Sequence, residues 1–319
     1  MNILLTGGAG FIGSHVASKL LKRGDNVVII DNFNDYYDDK LKHDRIKILI
    51  KKYPQVKVYK TDITNFKVLN KIFSKHKIDR VCHLAAQAGV RHSIDNPFVY
   101  ELWNNLGTLN IMELCSRYKI ENLVYASSSS VYGGNKKYPF SEKDNVDTPI
   151  SLYAATKKCN ELYAHSYNNI HGLKSTGLRF FTAYGPYGRP DMALFKFTKN
   201  IIEGKPIDVY NKGNMIRDFT YVDDIADGVV KSIDKIHNCE VFNLGNNKPI
   251  TLKYFISTIE KNLDKKAKKN LMGMQKGDVP KTYANINKAK KMLKWQPKTS
   301  IEDGIKNFID WYKEYYKIQ

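Results

Sequence analysis

Tyr153 and Lys157 stand four residues apart in Tyr153-Ala154-Ala155-Thr156-Lys157, a spacing that places a phenol and an ammonium on one face of a helix. A phenol with a reference pKa near ~10 is a poor base at neutral pH. A nearby cation favours the phenolate, and both Lys157 and an oxidised nicotinamide carry positive charge. Tyr/Lys pairs at this spacing are common on surfaces. This pair gains meaning from the serine tract at 127–130, which ends an apolar β-branched run where doubly wound sheets bind ligands. Tyr153 is then expected to accept a proton from a substrate hydroxyl while hydride leaves the same carbon for the nicotinamide, with a serine bridging.

The hydride acceptor has its own signature. Gly7-Gly8-Ala9-Gly10-Phe11-Ile12-Gly13 lies between a strand pattern and a helix pattern. Glycines at 7, 10 and 13 permit a tight turn, close approach of backbone to a pyrophosphate and close helix packing. The next strand pattern ends in Asp31, placed for the adenosine ribose; a carboxylate there accepts from hydroxyls and repels a 2'-phosphate, which predicts NAD over NADP. Asp62-Ile63 follows the third strand pattern, where a carboxylate can meet the adenine amino group. Leu84-Ala85-Ala86 ends the fourth, where small residues admit the cofactor.

These groups need a frame. Strand patterns at 2–5, 26–30, 56–60, 80–84, 122–127 and 174–180 alternate with helical spacing at 13–23, 66–75, 105–118 and 151–172. That rhythm predicts an α/β fold, a doubly wound parallel Rossmann sheet of six strands over residues 1–180. After about residue 185 the elements shorten and prolines punctuate them. A smaller α/β substrate domain over 181–319, interleaved in part with the first, is expected to complete a cleft.

Composition sets the outer bounds. The 319 residues carry 51 Lys plus Arg against 32 Asp plus Glu, a formal net charge of +19, which raises the question of a nucleic-acid partner. Only eight of the basic residues are Arg, the side chain that forks onto phosphates and bases, so the excess reads as solvated lysine. No apolar run approaches the ~18 residues of a membrane span. Cys82, Cys115, Cys159 and Cys239 lie far apart without a CxxC pair, as expected of reduced cytoplasmic thiols, and predict neither a disulfide frame nor a metal site.

The glycine loop, Asp31, the serine tract and the Tyr153/Lys157 pair together resemble the extended short-chain dehydrogenase/reductase family of NAD-dependent epimerases and dehydratases, over essentially the whole chain. More narrowly, DNFNDYYD (31–38), AGVR (88–91), SSSSVYG (127–133), RFFTAYGPYGRPDMALFKF (179–197), RDFTYVDD (217–224) and MQKGDVP (274–280) are similar to UDP-glucuronate 4-epimerases. The resemblance implies tightly held NAD, with Phe11, Ile12, Asn32, Asn34 and Asn104 added to its contacts, and Ser128 as the bridging hydroxyl. It also implies a UDP-sugar oxidised at C4 by Tyr153 and reduced again from the other face after the 4-keto sugar turns over. Related dehydratases carry an Asp-Glu pair before Val-Tyr-Gly and decarboxylases a Glu; Ser129 and Ser130 stand there in this chain, which favours plain epimerisation.

For the sugar, Phe180-Phe181 is followed by Thr182, as in uronate epimerases, where galactose epimerases have Asn. Thr182 with Ser127 or Ser129 is expected to hold a uronate carboxylate so that the 4-keto intermediate does not lose CO2. Arg217 and Arg189 are expected at the diphosphate, Arg91 near the substrate, and Gln275 and Asp278 at the uridine side. UDP-N-acetylglucosamine or UDP-glucose 4-epimerisation and UDP-glucuronate decarboxylation remain the alternatives, with an NAD-sensing module and a nucleic-acid-binding protein further off. The resemblance further implies a homodimer through a four-helix bundle formed by the helices near 105–118 and 151–172, without membrane or nucleic-acid partners.

Overall fold

The computed structural model describes residues 1–275 and 277–318. Strands β1 (Asn2–Thr6), β2 (Asn26–Asp31), β3 (Lys57–Lys60), β4 (Arg80–His83), β5 (Asn122–Ser128), β6 (Ser175–Phe180) and β7 (Cys239–Leu244) form one parallel sheet in the order 3-2-1-4-5-6-7. The central strands read as near-continuous apolar runs such as Ile3-Leu4-Leu5, because helices cover both faces. The chain reverses direction of travel between β1 and β4, and a crevice opens at their carboxyl ends.

The sheet has seven strands, one more than the sequence pattern predicted. The extra strand, Cys-Glu-Val-Phe-Asn-Leu, pairs along the edge of β6 and is only partly buried over its first half, so it lacks the apolar run that betrayed the others. Its approach comes through α7 (Val222–Asp234), which packs against α1 (Phe11–Arg23). Residues Ala284 to Trp295 join the same core. Between these named helices lie α2 (Lys40–Lys52), α3 (Phe66–Lys75), α4 (Gly107–Arg117), α5 (Leu152–His171) and α6 (Ala193–Ile202). A π-turn over Glu101–Leu106 leads into α4, which lengthens the helix expected at 105–118 at its front end.

The remaining lobe holds α6, α8 (Leu252–Leu263) and α9 (Ile301–Tyr316) with two-stranded ladders. Its own apolar core is aromatic: the Phe219 and Phe255 rings stack at 4.2 Å, and Phe195, Phe308 and Tyr312 close around them. The two lobes join where Thr182–Tyr184, directly after β6, pairs in parallel with Phe219–Tyr221. That junction brings Thr182 beside the carboxyl ends of the sheet. No helix among the described residues is long and apolar enough to cross a membrane.

Candidate active site

The carboxyl ends of the sheet strands and the second lobe border a cavity of about 810 Å³. Gly7 has φ +73°, and a Cβ there would sit 2.6 Å from the Ala85 nitrogen; at Gly13 a Cβ would sit 2.0 Å from the Gly7 carbonyl oxygen. Neither position admits a side chain, so the first turn lies directly against the end of β4. Gly10 caps α1 without a side-chain hydrogen bond, and no acid occupies the first turn. The first N–H groups of the helix, at Phe11, Ile12 and Gly13, have no partner within it and line the cavity, a site suited to a pyrophosphate.

Asp31 ends β2 at the same wall. Its Oδ2 accepts from the Ala9 N–H at 3.0 Å and its Oδ1 from the Phe33 N–H at 2.9 Å, which fixes the carboxylate and leaves lone pairs for ribose hydroxyls. Burial pushes its carboxyl pKa up, against the pull of those two bonds. Asn32, Asn34, Ile63, Leu84, Ala85 and Ala86 also line the cavity. Asp62 does not. Its carboxylate accepts from Asn32 Nδ2, Trp103 Nε1 and both the N–H and hydroxyl of Thr64, all within 3.0 Å, and Thr61 and Ile63 face the cavity on either side of it. Asn104 likewise stays behind the wall, fully buried, bonding the Gln87 backbone N–H and C=O and the Thr156 hydroxyl.

Tyr153, Lys157 and Ser128 meet in the cavity. Ser151 caps α5 by accepting from the Ala154 N–H, which starts the helix so that Tyr153 falls in its first turn. Burial raises the Tyr153 pKa, while the Ser128 hydroxyl and the charge of Arg189 pull it down. Ser128 Oγ accepts from the Ser130 N–H at 3.1 Å, so its own proton is free for Tyr153 or a substrate oxygen. Lys157 is 3% exposed and donates to the Ala126 carbonyl at 3.0 Å; burial lowers its pKa to about 8. Nearby His83, held between Thr6 and Thr108, is kept neutral by burial, at about 3.

Thr182, Ser129, Arg91, Arg189 and Asp278 line the cavity as well. Ser127 lines the cavity too, but its hydroxyl donates to Glu161 at 2.6 Å, which leaves Thr182 and Ser129 as the uncommitted hydroxyls of the trio. Arg189 forms a two-pronged pair with Asp191 at 2.9 and 2.5 Å. Arg91 lies over the Tyr210 ring, 4.7 Å from its centre. Arg217 and Gln275 are outside the lining. Arg217 donates to Asp278 at 2.7 Å, so it reaches the cavity through a partner that does line it, and burial lowers its pKa. Gln275 has a buried side-chain oxygen without a hydrogen bond.

Sequence reasoning missed three contributors. Lys42 lines the cavity and donates to the Asn34 carbonyl at 2.5 Å, with burial lowering its pKa. Arg45, 2% exposed, donates to the Ala9 and Tyr187 carbonyls at 2.8 and 2.6 Å, tying the glycine loop to the 185–192 segment. Their i, i+3 spacing on the helix after Asp31 was a usable signal. The third is Glu161, eight residues after Tyr153 on the same face.

Comparisons with known proteins find relatives along nearly the whole chain. A family model described as GDP-mannose 4,6 dehydratase matches residues 4–308. The chain is 48% identical to a UDP-glucuronate 4-epimerase of Thermodesulfobacterium geofontis, over 98% of this chain and 96% of that one. It superposes on the crystal structure of a UDP-glucuronic acid 4-epimerase from Bacillus cereus holding UDP-glucuronic acid and NAD, with a TM-score of 0.93, 36% identity, and 99% and 100% of the two chains covered. A UDP-glucose 4-epimerase of Thermotoga maritima, with UDP-glucose, gives a TM-score of 0.90 at 31% identity over 99% and 100% of the chains.

Proposed function

The chain belongs to the GDP-mannose 4,6 dehydratase family of extended short-chain dehydrogenase/reductases, and from that premise we propose that it interconverts UDP-glucuronate and UDP-galacturonate by epimerisation at C4. One observation carries the reading. Tyr153 and Ser128 face a cavity that Thr182 and Ser129 also line, and the tract before Val131 holds no carboxylate.

The residues fit NAD: the glycine cradle excludes any Cβ, the α1 N-terminus faces it, and Asp31 is fixed for a ribose. When bound, NAD supplies the acceptor and donor of hydride at the sugar C4. Tyr153 takes the C4 hydroxyl proton and later returns it, and Ser128 hydrogen-bonds the same oxygen. Lys157, in the same cavity lining, has its pKa lowered to about 8 by burial and is mostly charged below that pH. The 4-keto sugar must turn over between the two transfers, so its grip falls on the diphosphate, with Arg189, Arg91 and Arg217 as the guanidinium partners in this reading. A 4-keto uronate loses CO2 when its carboxylate bond aligns with the ketone π system. Thr182 and Ser129 hold the carboxylate out of that alignment with neutral hydroxyls.

The association and location belong to the same proposal. Leu102, Leu106, Leu162 and Ile170 are 43 to 70% exposed on the π-turn and α5, an apolar face that a second copy would cover in a homodimer. The cysteines are free thiols, in keeping with a cytoplasmic enzyme.

Incubating the purified protein with UDP-glucuronate, UDP-glucose and UDP-N-acetylglucosamine, with products followed by NMR, tests the reading. UDP-galacturonate is expected as the main product; a pentose product, or faster turnover of either neutral sugar, would overturn it. In the same assay Thr182→Ala is expected to raise the pentose share.

A further inference from the structure

α5 presents three polar residues on successive turns of one face, and each has a different partner. Tyr153 faces the cavity, Lys157 donates to the Ala126 carbonyl, and Glu161 accepts the Ser127 hydroxyl. The end of β5 is therefore gripped twice from the helix that carries the base. Glu161 is held in turn by Arg179 on β6, whose Nε and terminal nitrogen each donate at 2.8 Å. Arg179 stands directly across from Ser127 in the β5/β6 register. Its remaining nitrogen donates to Tyr132 Oη at 3.0 Å, and Tyr132 donates to Asn243 on β7 at 2.7 Å. Ser127, Glu161 and Arg179 are each less than a tenth exposed.

A buried ion pair of this kind brings little stability over an apolar pair of the same size, because both charges lose water. What the pair does here is set a direction. The Ser127 proton points out of the cavity, and the next residue in the chain is Ser128, which lines the cavity together with Tyr153. We propose that Glu161, clamped by Arg179, is a positioning residue of the epimerisation: through Ser127 it locks the end of β5 so that Ser128 meets Tyr153.

This inference rests on the C4-epimerase reading, and its test separates the two. Turnover of the wild type on each UDP-sugar is measured first, and the variants are then assayed on whichever sugar is used, so a wrong sugar leaves the comparison intact. Ser127→Ala removes one hydroxyl and no charge. It is expected to lower kcat per bound NAD about tenfold, the scale of a small misalignment of reacting groups, with KM for the UDP-sugar and NAD content within about twofold of wild type. The acid limb of the kcat profile is expected to move to higher pH, since a loosened Ser128 pulls the Tyr153 phenol down less. Ser127→Thr, which keeps a hydroxyl, is expected to recover most of the rate. Glu161→Gln is expected to lose more, and adding Ser127→Ala to it to lose nothing further. A raised KM with unchanged kcat would make Ser127 a sugar ligand and overturn the proposal. So would an unmoved kcat and pH limb in Ser127→Ala, or additive losses in the double variant.

Discussion

The two ends of the cavity are built on different principles. At the cofactor end the working groups are backbone or held by it: a glycine turn against β4, a free helix N-terminus, and the Asp31 carboxylate fixed by the N–H groups of Ala9 and Phe33. The groups proposed for the sugar diphosphate are instead charged side chains that pair with acids, Arg189 with Asp191 and Arg217 with Asp278. A rigid backbone site suits a cofactor that is regenerated in each cycle. Paired charges suit a ligand that enters and leaves, because the pair keeps each arginine satisfied while the phosphates are away.

Substitutions at each end ought therefore to fail in different ways. The largest effect falls between the ends. Tyr153→Phe should cost on the order of 10³-fold in kcat while bound NAD stays near wild type, read as turnover per mole of nucleotide released on denaturation. Gly13→Ala places a methyl 2.0 Å from the Gly7 carbonyl oxygen and should strip most NAD from the purified protein. Full NAD content in that variant would break the view that the cofactor end tolerates no side chain. Arg217→Gln should leave NAD content alone and raise KM for the UDP-sugar about tenfold, the cost of a charged hydrogen bond to phosphate, in steady-state kinetics.

The smallest effect is on stability. Lys157 titrates near 8 in the folded protein, below the 10.5 of an exposed lysine. Between those values the unfolded chain binds more protons, so this group's burial penalty is present in full below pH 8 and fades as pH rises to about 10.5. Lys157→Met should therefore be inactive yet raise Tm of the NAD-free protein by a few degrees at pH 7, with the gain over wild type vanishing near pH 10.5 in calorimetry. A lower Tm at pH 7 would show that the bond to Ala126 outweighs the burial.

Most of the sheet, and the meeting of Tyr153, Lys157 and Ser128 in one cavity, were legible in the sequence, because glycine loops, apolar strands and helical spacing are local patterns. Phe66–Lys75 was read to the residue. What stayed hidden was non-local. β7 carries no apolar run and is a strand only because β6 offers it an edge. Asp62 and Asn104 occupy positions near the cofactor track, but their side chains turn to Trp103, Thr64, Gln87 and Thr156, and no spacing rule reports a side chain's partners. Ser127 looked equal to Ser129 until Glu161, 34 residues away and held by Arg179, claimed its proton.

The path of the chain between the lobes has an evolutionary consequence. It leaves the sheet unit after Phe180, returns with α7 and β7, leaves after Leu244, and returns again with residues Ala284 to Trp295 before entering α9. No single recombination breakpoint can transplant the sugar-handling lobe, since any one cut would orphan an edge strand or part of the sheet unit's core. Substitution of single residues that line the cavity leaves that shared core intact, and exchange of the lobe would need several breakpoints.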